Sequence, residues 1–401
     1  MKAILFANTD WYLFNFRLGL ARELRRRGFD ILLVSPPGSY GRQLRAEGFR
    51  WQPLAMDRGS INPLREALLI GHLVRLYRRE RPDIVHHFGI KCAVHGSIAA
   101  AVTGVPARVN AVTGMGYVFA NEALMARLLR PVVRTLLRLS LSRRHSLLIL
   151  QNEDDMAGVR QQRIASRRVL RLIRGSGVDT VRFRPAASPV LSGQTTRVLL
   201  AARLLWDKGI ADYVDAARKL RLAGLPIQFL LAGEPDAGNP ASIPQAELEA
   251  WAVEGVVDLL GHVEDMPALL ASVDIAVLPS YREGLPKSLI EAAACALPLI
   301  TTDVPGCRDA VVDENNGLIV PARNASALAA AIRRLHDNRE WARTLGRAAR
   351  DRAVAEFDET IVISKTLEVY GELMPKLTRR SWQDSAVSGS QARASPGGPA
   401  G

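Results

Sequence analysis

Short apolar runs of four to six residues, each followed by a polar loop and then by a helical pattern, recur along this chain. Ile275–Leu278 is one such run, closed by Pro279 and Ser280 and followed by a helix from Ser288. Runs of this length are typical of strands that are buried on both faces of a parallel sheet. Because strand and helix alternate throughout, the sequence predicts an α/β fold with helices covering both faces of parallel sheets.

The length of the chain and one linker-like segment predict two domains. A chain of 401 residues is too long for one typical core. Residues 183–189 are rich in Pro and Ala, and a second series of strands and helices begins at Arg197. We therefore predict four segments, which are a first domain at 1–178, a second at 179–357, a final helix at 358–378 and a disordered tail at 379–401.

The charge of the chain implies an anionic partner. There are 53 Lys and Arg residues against 40 Asp and Glu, which gives a net charge of +13. Such an excess suits nucleic acid, an anionic membrane surface or phosphorylated substrates. Nucleic acid is the weakest of these, because the basic residues lack interleaved aromatic residues and no known binding module occurs.

Cysteine usage and the first residues predict a cytosolic protein. Cys92, Cys295 and Cys307 have no metal-ligand spacing and are expected to be reduced thiols. The apolar run at Met1–Ala7 meets Asn8 at once, so it predicts a strand and not a signal peptide. No stretch is long and apolar enough to span a bilayer.

A basic stripe marks the helix predicted at 124–146. Four arginines recur there at steps of three and four residues and so share one helix face. They are Arg127, Arg130, Arg134 and Arg138. Leu and Val fill much of the remainder, and a helix of this kind can lie on an anionic membrane. A helix packed on the core with a solvated basic face is the alternative, and the sequence leaves both open.

Polar residues and glycines fall where the predicted strands end, which is where ligands bind in parallel sheets. Asn15 and Arg17 are predicted in a loop after the first strand. Other such positions are His86, His87, Gly114, Gly116, Arg203, Lys208, Gly233, Glu234, Gly261, His262 and Val263. A histidine on an apolar strand is more often structural, so His86 and His87 are weak candidates for catalysis.

Two carboxylates bracket the start of one predicted helix. Glu283 lies at its mouth and Glu291 about two turns inside. Free backbone N–H groups at a helix mouth favour phosphate, and carboxylates bind hydroxyls. The arrangement predicts a sugar nucleotide pocket, although an ordinary turn with a solvated Glu283 would give the same pattern.

These motifs resemble those of the retaining glycosyltransferases of the GT-B fold, in the large family four of the sequence classification. The stretch from Glu283 to Glu291 is similar to the paired-glutamate motif, Arg203–Gly209 to the diphosphate-binding segment and Gly175–Asp179 to the interdomain signature. The likeness covers roughly residues 1–377. It implies two Rossmann-like domains facing across a cleft, an acceptor-binding first domain, a nucleotide-sugar-binding second domain, and a final helix that crosses back to the first.

Further segments are similar to a narrower group, which builds capsule, O-antigen and N-glycan precursors on polyprenyl-diphosphate lipids. They are Asn15–Arg17, Ile90-Lys91, Val112–Val118, Ser280–Pro286, Thr301–Cys307 and Asn316–Pro321. The group includes transferases of N-acetylgalactosamine. The resemblance therefore implies a nucleoside diphosphate sugar as donor, with uridine as the base, and a lipid-linked saccharide as acceptor. It also implies an enzyme attached peripherally to the inner face of the plasma membrane.

The resemblance assigns roles to individual residues. The catalytic set is Glu283, Arg203 and Lys208. The donor-binding set is Gly233, Glu234, Gly261, His262, Val263, Gly284, Leu285, Lys287 and Glu291. The acceptor or phosphate set is Asn15, Arg17, Lys91, Gly114 and Gly116. Arg203 and Lys208 would neutralise the leaving diphosphate in place of a metal ion, so no cofactor is expected.

One position departs from the family pattern. Many relatives carry a histidine where the strand at 108–113 ends, but this chain has Thr113-Gly114-Met115-Gly116 there. The part of the catalytic description that depends on that histidine cannot be carried over.

The expected reaction is sugar transfer with retention of the anomeric configuration. The leaving phosphate would accept the proton during same-face attack, and neither glutamate need act as a covalent nucleophile. Two other functions stay open from the sequence, namely a sugar nucleotide epimerase of the same fold and a noncatalytic membrane-associated scaffold.

Overall fold

The computed structural model describes residues 1–60, 62–112, 131, 134–138, 145–186, 195–236 and 239–375. Several predicted features lie outside these residues. They are Gly114, Gly116, Arg127, Arg130 and the tail at 379–401.

The first sheet has seven parallel strands in the order β3-β2-β1-β4-β5-β6-β7. The strands are β1 (Lys2–Ala7), β2 (Asp30–Ser35), β3 (Arg50–Pro53), β4 (Ile84–Phe88), β5 (Ala107–Val112), β6 (Ser146–Leu150) and β7 (Leu170–Leu172). The helices between them are α1 (Asp10–Arg26), α2 (Gly41–Ala46), α3 (Pro63–Glu80), α4 (Ile90–Thr103) and α5 (Glu153–Gln161). The apolar runs form the buried strands, as the sequence predicts.

The second sheet has six parallel strands in the order β10-β9-β8-β11-β12-β13. The strands are β8 (Thr196–Ala201), β9 (Ile227–Ala232), β10 (Asp258–Gly261), β11 (Ile275–Leu278), β12 (Leu299–Thr302) and β13 (Gly317–Val320). Its helices are α6 (Ile210–Leu222), α7 (Gln245–Glu254), α8 (Met266–Ala271), α9 (Lys287–Ala294), α10 (Cys307–Ala310), α11 (Ala325–Asp337) and α12 (Arg339–Glu356). The predicted architecture of two doubly wound sheets is confirmed.

Each sheet separates two apolar layers. In the first sheet, Ala3 and Leu5 face the layer under α1, while Ile4 and Phe6 face the layer under α3. In the second sheet, Val198 and Leu200 pack toward α6, while Leu199 packs toward α9. Strands covered on both faces give a rigid frame, so the loops at their carboxyl ends are held in fixed positions.

The last described helix, α13 (Glu359–Leu373), returns to the first domain as predicted. It begins where Val178 N donates to Phe357 O at 2.9 Å, and its side chains join the apolar layer under α1. Tyr370 Oη and His86 Nδ1, which belong to α13 and β4, are 2.9 Å apart.

Two local predictions are wrong. Asn15 and Arg17 lie within α1 and not in a loop, because Thr9 caps a helix that begins at Asp10; its side chain accepts a bond from Tyr12 N at 3.0 Å. The place of Pro286 just before the apolar helical pattern predicts a proline in the first turn of the helix, but Pro286 occupies the cap position of α9, one residue before that turn.

None of the described helices is long and apolar enough to cross a bilayer.

Candidate active site

The carboxyl ends of four neighbouring strands carry most of the predicted donor-binding residues. The sheet order places β10, β9, β8 and β11 side by side. The segments at Gly261, Gly233, Arg203 and Glu283 follow these strands in the same order. Parallel strands therefore bring together residues that are far apart in the sequence, at the switch point between β8 and β11.

Lys208 and Glu283 form the centre of this edge. Lys208 Nζ lies 2.5 Å from Glu283 Oε1, and Ser280 Oγ donates to the same oxygen at 2.8 Å. The two charged side chains are only 15% and 12% exposed. The pair is thus a charge-balanced site that a ligand with both anionic and hydroxyl groups could enter.

Close backbone contacts fix this pair. Gly209 has φ +70°, and a Cβ there would lie 2.0 Å from Pro279 O. Tyr281 N donates to Asp207 O at 2.8 Å, which ties the turn after β8 to the turn after β11. The Lys208 backbone is therefore held against the strand end that carries Glu283.

A second loop supports Glu283 from behind. Gly306 has φ +79°, and a Cβ there would lie 2.5 Å from Gly284 O. Glu283 N donates to Pro305 O at 3.3 Å. Gly284 O also accepts a bond from Asn152 Nδ2 of the first domain at 2.9 Å. Both domains thus contribute to the position of this loop.

The start of α9 faces the first domain. Lys287 Nζ donates to Asn15 O and lies 4.7 Å from the centre of the Phe16 ring. Leu285 is buried and packs against Gly175, where a Cβ would lie 2.7 Å from Leu285 Cδ2. The structure therefore brings Asn15, the interdomain signature and the α9 start into one region.

Glu291 lies on α9 behind Lys287. Its side chain is 15% exposed, and Lys287 Nζ is 3.5 Å from Oε1. Burial raises the pKa of Glu291, and Lys287 opposes this only in part. Hydrogen bonds from ligand hydroxyls would stabilise the ionised carboxylate here, because they would replace the water that burial removes.

Arg203 pairs with an acid that the sequence reasoning missed. Arg203 Nη1 donates to Asp236 Oδ2 at 2.6 Å, and Arg58 Nη2 of the first domain donates to Asp236 Oδ1 at 2.6 Å. Burial opposes ionisation of Asp236, but Arg58, Asn239 and Arg203 outweigh it and lower its pKa. Asp236 thus holds one arginine from each domain.

The remaining donor-binding candidates adjoin the same edge. Gly233 has φ +141°, and a Cβ there would lie 1.8 Å from Ala202 O. Gly233 N donates to Gly261 O at 2.8 Å, which joins the ends of β9 and β10. His262 and Glu234 are exposed, Val263 is half-buried, and His262 Nε2 lies 3.4 Å from Tyr40 Oη. Their roles stay predictions.

Arg17 and Lys91 are both engaged within the first domain. Arg17 is 5% exposed, donates from Nη2 to Tyr12 Oη at 2.7 Å and lies 4.5 Å from the Phe88 ring centre. Lys91 Nζ donates to Asp57 O at 2.6 Å, to Ser60 O at 3.0 Å and to Glu66 Oε1 at 2.7 Å. Direct contact of Lys91 with an acceptor would break one of these bonds.

The two strand histidines are buried structural groups. His87 lies between Tyr77 Oη at 3.0 Å and Asn110 Oδ1 at 2.8 Å, and burial lowers its pKa to about 4. Burial also lowers the pKa of His86 well below its usual value. Both rings are neutral at pH 7, which favours packing over acid–base work.

Two of the four stripe arginines can be placed. Residues 134–138 are helical, with Arg134 and Arg138 exposed and Leu137 buried against the first domain.

In the described ranges there is no cluster of three His, Cys, Asp or Glu residues that could hold a metal ion.

Comparisons with known families support the same assignment for both halves. A model described as Glycosyl transferase 4-like matches residues 2–152, and one described as Glycosyl transferases group 1 matches residues 195–338. Each match contains strands of one of the two sheets.

Individual relatives span most of the chain. The N,N'-diacetylbacillosaminyl-diphospho-undecaprenol alpha-1,3-N-acetylgalactosaminyltransferase of Campylobacter jejuni is 27% identical over 90% of this chain and 96% of its own length. The UDP-Gal:alpha-D-GlcNAc-diphosphoundecaprenol alpha-1,3-galactosyltransferase of Escherichia coli is 24% identical over 75% of this chain and 78% of its own.

A solved structure shares the fold. The crystal structure of HepE from Anabaena in complex with UDP is 18% identical, covers 93% of this chain and 100% of its own, and has a TM-score of 0.73. With both family models and this architecture in agreement, the chain is a glycosyltransferase with the GT-B fold, in which the first domain matches the Glycosyl transferase 4-like model and the second matches the Glycosyl transferases group 1 model.

Proposed function

We propose that this enzyme transfers a sugar from a uridine diphosphate sugar to a saccharide carried on a polyprenyl diphosphate, with retention of the anomeric configuration. The sugar would be an N-acetylhexosamine such as N-acetylgalactosamine. The observation that carries the proposal is the half-buried Lys208–Glu283 pair beside the ends of β8 and β11, with the Glu291 carboxyl behind it.

The donor would lie along the edge formed by β10, β9, β8 and β11. Glu291 would bind the ribose hydroxyls and Glu283 the hydroxyls of the sugar. Lys208 and Arg203 would bind the diphosphate, whose developing charge is the main feature that the site must stabilise during transfer. Gly261 and the two residues after it would present backbone groups to the base.

The acceptor would enter from the first domain. Asn15 and its neighbours on α1 already contact the start of α9 through Lys287. The relatives from C. jejuni and E. coli are both named for acceptors with undecaprenol diphosphate, which supports an acceptor of this kind here.

The enzyme would work at the cytoplasmic face of the plasma membrane without a metal ion. The exposed Arg134 and Arg138, with Arg127 and Arg130, would contact anionic lipid head groups. Lys208 and Arg203 would neutralise the charge of the diphosphate, which a divalent cation does in metal-dependent enzymes. Full activity in the presence of EDTA is expected.

A panel of nucleoside diphosphate sugars in a thermal-shift assay, followed by transfer onto polyprenyl-diphosphate saccharides, tests the proposal. We expect a uridine diphosphate sugar to stabilise the enzyme most, and the product to keep the anomeric configuration of the donor. Arg203→Ala with wild-type turnover would contradict the role given to that residue. Interconversion of free sugar nucleotides without transfer would favour an epimerase.

A further inference from the structure

A second cavity, of about 520 Å³, lies in the first domain and has no part in the donor site. Pro36 and Pro37, which follow β2, form one wall, and the loop after β3 forms another through Ala55, Met56, Asp57 and Ser60. The first turns of α3 complete the lining. Its volume falls in the range of roughly 300–1,000 Å³ that is common for small-molecule sites.

The lining of this cavity is mainly apolar with a charged side. Pro36, Pro37, Met56 and Leu69 supply the apolar part. Arg65 and His72 supply the basic part. The cavity therefore has the polarity of an amphiphile, with room for an apolar chain beside polar and charged groups.

The carboxylates at the cavity are already balanced by cations. Asp57 Oδ2 lies 3.6 Å from Arg65 Nη1, and Glu66 lies 2.7 Å from both Lys91 Nζ and His95 Nε2. Asp57 and Arg65 therefore offset each other, as Glu66 and Lys91 do, and these ionised groups are close to charge balance. The lining thus offers an apolar chain a surface on which the charged side chains are already paired.

Exposed leucines lie at the outer side of the cavity. Leu68 lines it and is 64% exposed, and Leu64, one turn earlier on α3, is 76% exposed. The two side chains share one helix face because they are four residues apart. These leucines offer apolar contact area to a chain that leaves the cavity on this side.

The loop at 55–60 separates this cavity from the proposed donor site. Lys91 Nζ holds the loop through Asp57 O and Ser60 O. From the same loop, Arg58 reaches across to Asp236, which also holds Arg203. The cavity and the proposed diphosphate site thus lie on either side of one pinned loop.

We propose that this cavity binds the apolar chain of the lipid-linked acceptor, in the part next to its diphosphate. The proposal rests on the proposed function and names where that substrate is recognised. Lys91 then acts as a positioning residue, because it holds the loop that forms the inner wall of the cavity.

The test is to fill the cavity and compare two acceptors. Ala55 is exposed and lines the cavity, so Ala55→Trp places a large side chain in it; Ala67→Trp, at an exposed position of α3 outside the lining, is the matched control. One acceptor carries the polyprenyl chain, and the other carries the same saccharide diphosphate on a methyl group. We expect Ala55→Trp to lower kcat/KM about tenfold or more for the polyprenyl acceptor only.

Direct binding separates this proposal from the proposed function. Farnesyl diphosphate, titrated below its micelle-forming concentration, should bind the wild type more tightly than inorganic diphosphate does, and Ala55→Trp should remove the difference. If the wild type transfers sugar to neither acceptor, the proposed function fails, while this titration still decides what the cavity binds.

Several results would overturn the proposal. Equal losses for both acceptors, equal effects of Ala55→Trp and Ala67→Trp, or no effect of either would each exclude the chain from the cavity. If Ala55→Trp no longer bound anionic vesicles that contain no acceptor, the cavity would bind membrane lipid in general and not the acceptor chain. Because a bulky variant can misfold, Leu68→Ser provides a second change in the lining without added volume. The melting temperature and the donor affinity of each variant show whether it is folded.

Discussion

Glu283 and Glu291 are eight residues apart, yet their surroundings give them different properties. Glu283 accepts bonds from Lys208 and Ser280, so its charge is balanced within the site. Glu291 is set back along α9, where burial raises its pKa and Lys287 lies 3.5 Å away. A ligand would meet one carboxylate that is already paired and one whose charge is poorly solvated.

Glu283→Gln tests the paired carboxylate. The amide keeps the shape of the side chain but removes the charge that Lys208 faces and the strong acceptor proposed for the sugar hydroxyls. We expect kcat to fall on the order of 100-fold, with a melting temperature close to that of the wild type. Steady-state kinetics measures this, and Glu340→Gln, on the exposed face of α12, is the control. Turnover within threefold of the wild type would contradict a direct role.

Glu291→Gln tests the buried carboxylate through pH. A carboxyl whose pKa is higher in the folded chain than its usual 4.5 takes up a proton on folding, so its contribution to stability falls as pH rises through that interval. Gln has no such loss. The stability of the variant relative to the wild type should therefore be greater at pH 8 than at pH 4, as measured by denaturant unfolding.

The same variant should bind the donor less well. Loss of a charged acceptor for two hydroxyls is expected to weaken binding of uridine diphosphate about tenfold to 100-fold, measured by calorimetry. Glu340→Gln again serves as the control. A stability difference that does not change with pH, or that favours the wild type more at pH 8 than at pH 4, would contradict the assigned burial effect.

At the scale of elements, the site depends on turns that approach one another too closely for side chains. At Gly209, Gly233 and Gly306 an added Cβ would lie 2.0, 1.8 and 2.5 Å from a neighbouring carbonyl oxygen. The strand ends can meet in this way only where glycine is present. Of these contacts, those at Gly209 and Gly306 hold the backbone next to Lys208 and Glu283.

Gly209→Ala should displace the turn that carries Lys208. Gly224→Ala is a matched control, since Gly224 has φ +72° against +70° for Gly209 but no atom within 4 Å of an added Cβ. Both variants carry the cost of a left-handed alanine, about 1 kcal/mol. Only Gly209→Ala adds a clash with Pro279 O, so only this variant should lose most of its donor affinity and turnover. Equal effects of the two variants on kinetics would show that the close approach is unimportant.

The strands could be predicted from sequence, but the start of α1 could not. An apolar run such as Ile275–Leu278 carries its own signal, because burial on both faces requires it. In α1 the usual pattern is reversed, since Arg17 is buried and Trp11 is exposed. Thr9 followed by Asp10 is a typical start of a helix and was the signal available in the sequence. The aromatic residues after it obscured the 3.6-residue spacing of apolar side chains that indicates a helix.

At the scale of the whole molecule, contacts between the domains complete the site, and these were beyond prediction from sequence. Asn152 reaches Gly284 O, Lys287 reaches Asn15 O, and Arg58 reaches Asp236. The last pair is separated by 178 residues. A lone arginine in a loop carries no local sign of its partner, since only the packing of the two domains brings them together.

Asp236 links the domain contact to the donor site. It holds Arg58 and Arg203 at 2.6 Å each, and the proposed donor diphosphate requires the same Arg203. In the chain without donor, Asp236 therefore competes with the diphosphate for this cation. Because the Arg203 side chain is 50% exposed, the ion pair is expected to be weak, on the order of 1 kcal/mol or less.

Asp236→Asn should consequently raise the affinity for uridine diphosphate, by about twofold to fivefold. The amide keeps the volume of the side chain but holds neither arginine by charge, so Arg203 is released to the ligand while the link to Arg58 weakens. Calorimetry measures the affinity, and Asp303→Asn, at an exposed carboxylate that pairs with Arg308, controls for the loss of one negative charge. A lower affinity in Asp236→Asn alone would mean that Asp236 positions Arg203 for the diphosphate and does not compete with it.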